Sequence, residues 1–268
     1  MTSKLAKIAL TITLLVFTTA AEAARCSNTS RGFDRFKRDF AKEARAAGVG
    51  QKGLRALASA QYSKRVIYRD RNQKSFKKGF AAFYKLRTTG LHRPAKRRMK
   101  KYARALRTIQ KRYGVQPEIL ITIWGMESGF GRFLGKDDIV NALATLVHDC
   151  RRSEFFRPNL IAALKILDRG HMTRAKMRGA THGEIGQTQF MAKHYLNYGV
   201  DFDGNGRVDL VSSPLDVLAS TANYLKGHGW RAGGSYQRGS HNYRVLKEWN
   251  AAQVYQKAIA KFAGEIAR

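Results

Sequence analysis

The chain has 268 residues, 44% of them hydrophobic, and carries 50 lysines and arginines against 19 acids, a formal net charge of +31. That length allows one compact domain or a core with a smaller appended lobe, and no tract is repetitive, of low complexity, or apolar over enough residues to span a bilayer. A charge of this size speaks about partners and not about fold.

The first residues read as a targeting leader. Lys4 and Lys7 precede an apolar run at 8–17, and Ala21-Glu22-Ala23 is a small-x-small cleavage pattern, so residues 1–23 read as a signal peptide. Arg25 stands directly before Cys26, where lipid attachment wants a small residue, so a lipoprotein is not expected. Export changes the meaning of the charge. Nucleic acid, the first partner to consider for a cytosolic basic protein, gives way to the cell wall, anionic lipid and surface glycans. The two cysteines, Cys26 and Cys150, make a disulfide plausible in an oxidising compartment. It would tie the mature N-terminus to the core and contribute ~3–5 kcal/mol in the loop-entropy account. The alternative is two buried thiols.

Phe33, Phe36, Phe40 and Ala44 share one face of a helix ending near Gly48, and 54–60 reads as another. Residues 62–68 are mixed and read as extended. Phe76, Phe80, Phe83 and Tyr84 mark a third helix, closed by Gly90. Tyr102, Leu106, Ile109 and Tyr113 mark a fourth, closed by Gly114. Basic residues are densest from 93 to 112, where a solvated face is the simplest reading. Further helices are expected at 117–127, 141–147, 159–167, 216–225 behind Pro214, and 251–266. The fold class is therefore mostly α with few short strands. Glycine gathers at 125–135, 179–186, 204–206 and 227–239, which marks those loops as site-forming.

Within the 117–127 helix, Pro117 and Glu118 suit the first turn, and Gly129 and Gly131 stop it. Glu127 is the only acid between Glu118 and Asp137, at the end of an apolar run. Burial and the negative end of the helix dipole both disfavour its ionisation, which suits a general acid. The alternative is an ordinary surface glutamate beside a loop. In 183–191, two glycines let backbone approach a ligand, and Gln187 and Gln189 offer amides suited to sugar hydroxyls and N-acetyl groups. Asp201-Phe202-Asp203-Gly204-Asn205-Gly206-Arg207-Val208-Asp209 matches the first half of an EF-hand calcium loop. Position twelve is Ser212, and Asp216 closes the site only if the loop is longer than standard. Tight Asp-Gly and Asn-Gly turns are the alternative. Arg151 and Arg152 have the forked donors that bind carboxylates. Trp249, Asn250 and Tyr255 are candidates for stacking on a sugar or hydrogen-bonding the acid. The chain contains no phosphate loop, no Cys-x-x-Cys pair, no His-Glu-x-x-His zinc helix and no Gly-x-Ser-x-Gly elbow.

In this order, Trp124-Gly-Met-Glu-Ser-Gly-Phe-Gly131, Asn141-Ala-Leu-Ala-Thr-Leu146, Arg151-Arg152 with Phe155-Phe156, Gly186-Gln-Thr-Gln-Phe-Met191, Asp201-Phe-Asp-Gly-Asn-Gly206 and Ala222-Asn-Tyr-Leu225 with Gly229-Trp230 resemble the lytic murein transglycosylases of the B type. The resemblance implies an exported, periplasmic enzyme with a lysozyme-like helical core (115–268, with the EF-hand-like loop at 201–216) behind an N-terminal helical region (24–114). It implies cleavage of peptidoglycan between N-acetylmuramic acid and N-acetylglucosamine, with Glu127 as sole acid/base and a 1,6-anhydro product. It implies glycan contacts from Arg151, Arg152, Gln189, Phe190, Tyr224, Asn250 and Tyr255. It also implies a structural calcium at Asp201, Asp203, Asn205, Arg207 (by its carbonyl) and Asp216, with no cofactor for the chemistry, no nucleic-acid partner and no stated protein partner. A sole acid/base agrees with the absence of a convincing second carboxylate, which an ordinary glycosidase needs. Two departures stand out. The family's Gly-Ser-Trp-Ala-Gly-Ala-Met-Gly is here Gly179-Ala-Thr-His-Gly-Glu-Ile-Gly186, and Trp249 replaces a tyrosine. A hydrolytic muramidase and a non-catalytic wall-binding protein are the competing readings.

Overall fold

The structure, a computed structural model, describes residues 24–72 and 79–268. The leader at 1–23 and the helix marker Phe76 lie outside the described residues. Thirteen helices and four two-residue strands are found among the described residues. The helices are α1 (Phe33–Ala46), α2 (Gln51–Ala58), α3 (Lys64–Arg71), α4 (Phe80–Thr88), α5 (His92–Lys101), α6 (Ala103–Tyr113), α7 (Pro117–Ser128), α8 (Ile139–His148), α9 (Ser153–Asp168), α10 (Ala192–Tyr198), α11 (Pro214–Gly227), α12 (His241–Trp249) and α13 (Gln253–Ile266). The strands β1 (Asp137–Asp138), β2 (Arg178–Gly179), β3 (Glu184–Ile185) and β4 (Phe190–Met191) form one antiparallel sheet in chain order.

Helix α7 is the axis of the core. Pro117 opens it with the φ that a first turn requires, and nine of its residues are buried on all sides. α4, α5, α6, α11 and α13 pack around it, while α1 and α2 cover α8 and α9. Gly129 closes α7 in the left-handed region at φ 59°, and Phe130 follows at φ 65°, a conformation few L-residues adopt. That turn folds the Phe130 ring back onto Trp124, edge to face at 5.4 Å. A Cβ on Gly125 would meet the Phe130 ring at 2.8 Å, so this glycine makes room for the turn that ends the helix beside Glu127.

Cys26 and Cys150 are joined as a disulfide. Ser27 N–H donates to the His148 carbonyl at 2.7 Å, so the bridge and the backbone together fix the segment before α1 to the end of α8.

The extended reading of 62–68 is corrected to helix α3. Ser63 caps it by accepting from the Val66 N–H at 3.3 Å, and Asp70 anchors it from its last turn. Three further helices lacked a readable apolar period. α5 buries only Ala95, α10 is seven residues long, and α12 starts from the Ser240 cap.

Candidate active site

Glu127 ends α7 and lines a cleft of about 510 Å³. Its walls are the α12–α13 junction, the β3–β4 turn, and Phe155 and Phe156 on α9. The carboxyl is half-buried and its pKa is raised, chiefly by burial. Trp249 Nε1–H donates to Glu127 Oε1 at 2.8 Å. The Tyr255 hydroxyl also interacts with the carboxyl, and Arg87 lies nearby as a positive charge. Those three groups favour the charged form and partly offset burial, while Glu184 in the same cleft adds to the upward shift. The result is an acid that holds its proton above the ordinary glutamate range, with one oxygen pinned by an N–H.

Tyr255, expected among glycan contacts, is 1% exposed, its ring edge against Phe83 and under the Arg87 guanidinium. Its hydroxyl serves Glu127. Trp249 likewise gives its N–H to the acid while its ring meets Phe190 and Tyr224 edge-on at 5.6 and 5.3 Å. The Tyr224 hydroxyl donates to the Glu248 carbonyl at 2.6 Å, which fixes Tyr224 as an aromatic wall of the cleft. Gln189 adopts φ 55° and donates from Nε2 to the Gly186 carbonyl at 2.8 Å. Asn250 lines the cleft and holds the start of α13 by accepting from Ala252 N–H at 3.0 Å. Gln187 is buried behind the cleft, its Oε1 accepting from Trp124 Nε1–H at 2.8 Å and its Nε2 donating to the Val211 carbonyl at 2.8 Å.

The arginine pair divides. Both guanidiniums meet the buried carboxylate of Asp70 on α3. Arg152 lines the cleft, whereas Arg151 lines a neighbouring pocket beside the disulfide. Asp70 also faces His182 Nε2 at 3.2 Å, and His182 Nδ1 faces Glu184 at 3.3 Å. A chain of polar contacts thus runs from α3 into the cleft.

Sequence reasoning assigned no role to Arg87, His182, Glu184 or His194, all of which line the cleft. His182 and Glu184 were visible as departures in the 179–186 loop. Arg87 and His194 left no signal, because only the tertiary fold brings α4 and α10 to Glu127. Burial, then His228 and Lys193, holds the His194 imidazole down at about 4, so it is a neutral wall at ordinary pH.

Away from the cleft, carboxylate oxygens of Asp201, Asp203 and Asp216 lie within 4.8 Å of one another. Asp216, four residues past the standard closing position, is fully buried at the start of α11 and accepts from the backbone N–H of Phe202 at 2.9 Å and Asp209 at 2.8 Å. Asp201 accepts from the N–H groups of Gly204, Asn205 and Gly206 at 2.7–3.1 Å. Asn205 Oδ1 accepts from Arg207 N–H at 3.2 Å, which keeps that side chain turned into the loop. Two carboxylates of a loop of this pattern, joined by a third from the first turn of α11, are a donor set that fits a hard cation with oxygen ligands.

The sequence model described as "Transglycosylase SLT domain" matches residues 32–240. The Escherichia coli K12 protein called membrane-bound lytic murein transglycosylase B is 40% identical over 133 residues, 49% of this chain. That match spans 37% of the relative's length. Pseudomonas aeruginosa SltB3, solved in complex with NAG-NAM-pentapeptide, superposes with a TM-score of 0.81 at 29% identity, over 88% of this chain and 80% of that one. Escherichia coli Slt35, solved in complex with calcium, gives a TM-score of 0.77 at 23% identity, over 91% of this chain and 96% of that one, a likeness of fold.

Proposed function

The chain belongs to the transglycosylase SLT domain family, and from that premise we propose that it is a peptidoglycan lytic transglycosylase with Glu127 as its acid/base. It cleaves the β-1,4 bond between N-acetylmuramic acid and N-acetylglucosamine and leaves 1,6-anhydro ends. The observation that carries the reading is the position of Glu127, an acid at the end of a buried helix, its pKa raised by burial and its Oε1 held by Trp249.

Its chemistry follows from that geometry. Protonated Glu127 gives its proton to the glycosidic oxygen as the bond from that oxygen to the muramoyl anomeric carbon breaks. The carboxylate so formed is stabilised by the Trp249 N–H and the Tyr255 hydroxyl. It then takes the proton of the muramoyl 6-hydroxyl as that oxygen bonds to the same carbon. The proton count closes on one residue and no water is consumed. Such assistance supplies about 10²–10⁴-fold. Arg152, Gln189, Phe190, Tyr224 and Asn250 form the glycan wall in this reading, and Tyr255 acts on the acid. Arg151 contributes through Asp70. The region 24–114 supports the cleft and contributes Arg87 to its lining, and 115–268 carries the acid.

One observation favours a second reading. Glu184 puts a second carboxylate in the cleft, which a hydrolytic muramidase requires. Against it, both Glu184 oxygens are engaged by His182, one by its ring and one by its backbone N–H at 2.9 Å. Digestion of purified sacculi followed by mass spectrometry separates the readings: anhydro ends support the transglycosylase, and reducing ends one water heavier support the muramidase.

Calcium at Asp201, Asp203, Asn205, the Arg207 carbonyl and Asp216 is part of the same reading, supported by the carboxylate cluster. The ion relieves repulsion between those acids and fixes the loop that leads into α11. Export to the periplasm is supported by the disulfide, which persists in oxidising compartments. With Cys26 in that bridge, its sulfur is not free for a lipid thioether. Among the described residues no helix is long and apolar enough to cross a membrane.

A further inference from the structure

Between Asp70 and Glu118 the chain has no acidic residue and 16 lysines and arginines. On α5 and α6, Arg93, Lys96, Arg97, Lys100, Lys101 and Arg104 are all exposed. The acid bordering this face, Glu265, is already held by Tyr84, His92 and Lys261. Like charges three and four residues apart on a helix repel, so α5, which buries only Ala95, forms against its own electrostatics. An anionic partner would relieve that repulsion.

The face also has a groove. A depression of about 430 Å³ is lined by Arg97, Arg98, Lys101 and Tyr102 from α5 and its end and by Trp124 and Phe130 from the end of α7, with no carboxylate among its lining residues. Arg98 is fixed there, its guanidinium 4.2 Å from the Phe130 ring centre and 5.3 Å from that of Trp124. Trp124 and Phe130 belong to the motif that presents Glu127. The basic groove and the glycan cleft are therefore built on the same helix end.

We propose that the α5–α6 face and its groove form a second binding surface for the substrate polymer, which takes the carboxylates of its peptide stems. The inference rests on the peptidoglycan reading of the cleft. A stem-bearing glycan strand carries carboxylates at intervals along its length, and a pentapeptide such as that bound to SltB3 ends in one. Arginine forks and lysine ammoniums spread over two helices match repeated carboxylates and do not require one fixed pose. A bilayer is a poorer match. Among the described residues the exposed large apolar ones are Tyr68, Leu86, Phe133 and Phe155, and none lies on α5 or α6 to insert into lipid.

The test uses Arg97, Lys100, Lys101 and Arg104, each changed to Gln, against a control with Lys52, Arg55, Lys64 and Arg169 changed to Gln. Both sets are exposed and remove the same charge. Co-sedimentation with purified sacculi is measured across a salt series, beside turnover of a short glycan without peptide. The α5–α6 variant is expected to lose at least about tenfold in sacculus affinity at low salt, a gap that closes as salt screens it. The control keeps its affinity, and both cleave the short glycan like the parent. Equal sacculus binding by the two variants overturns the proposal, because net charge alone then explains adhesion. Loss of binding to phosphatidylglycerol vesicles with sacculus binding intact overturns it in favour of a membrane surface. A parent that binds sacculi but cleaves no glycan overturns the enzymatic reading and leaves the binding comparison readable.

Discussion

Glu127 stands alone at the end of a buried helix, whereas Asp201 and Asp203 of a loop and Asp216 of the first turn of α11 crowd within 4.8 Å of one another. Both regions hold carboxylates, and both hold them with N–H donors. At Glu127 the donor is one indole N–H, and burial outweighs it, so the carboxyl pKa is raised. In the acidic cluster, backbone N–H groups from six residues converge on Asp201 and Asp216. The difference teaches that isolation and desolvation strengthen a carboxylate's hold on its proton, while clustering suits carboxylates to a shared cation.

That contrast breaks most sharply at Glu127 itself. Glu127→Gln keeps the shape and the Trp249 contact but removes the mobile proton. Release of soluble fragments from sacculi should fall by about 10²–10⁴-fold, and turnover near the parent rate would remove Glu127 from the mechanism. The same variant sharpens the electrostatics. The folded-state pKa of Glu127 lies above its unfolded value, so the folded protein binds the extra proton and stability falls as pH rises between the two. At neutral pH the Gln variant should therefore melt higher than the parent in scanning calorimetry, and a lower melting temperature would contradict the burial account.

Reducing the Cys26–Cys150 bridge should lower unfolding free energy by ~3–5 kcal/mol in denaturant titrations, since the bridged residues are 124 positions apart. The acidic loop should respond to metal where Glu127 does not. Calcium at about 100 times its dissociation constant should add about 2.7 kcal/mol of stability, and Asp216→Asn should abolish that gain. Cleavage well below the melting temperature should be the same with EDTA as with calcium. A melting temperature indifferent to both would sink the metal site.

The smallest effect is expected at Trp249. Trp249→Phe keeps an aromatic ring but loses the N–H that favours ionised Glu127, a charge-assisted bond of about 1.5–3 kcal/mol. The alkaline limb of the pH–rate profile, which reports loss of the Glu127 proton, should move to higher pH. A limb that stays in place would mean the indole only packs.

Much of the helical order was legible because an apolar period of 3.6 survives wherever one face is buried, as at Phe33, Phe36 and Phe40. α5 was not, because a helix that buries one alanine has no period to read. α3 was misread for a related reason, since its anchors are a serine cap and the polar Asp70. Glu127 was legible from local signals, a proline start, a glycine stop and no other acid nearby. Its supporting groups were legible only as alternatives. Trp249 and Tyr255 read equally as sugar platforms or as hydrogen-bond partners of the acid, and only the fold, which packs α13 on α7, decides for the acid. The adjacent arginines 151 and 152 look equivalent in sequence, yet only Arg152 lines the cleft.

The fate of one oxygen atom tests the central claim most directly. Sacculi digested in water enriched in heavy oxygen, followed by mass spectrometry of the new muramoyl ends, should show anhydro ends with no label, because the 6-hydroxyl of the sugar closes the ring. Reducing ends carrying one heavy oxygen would show that water is the nucleophile and would contradict Glu127 acting alone.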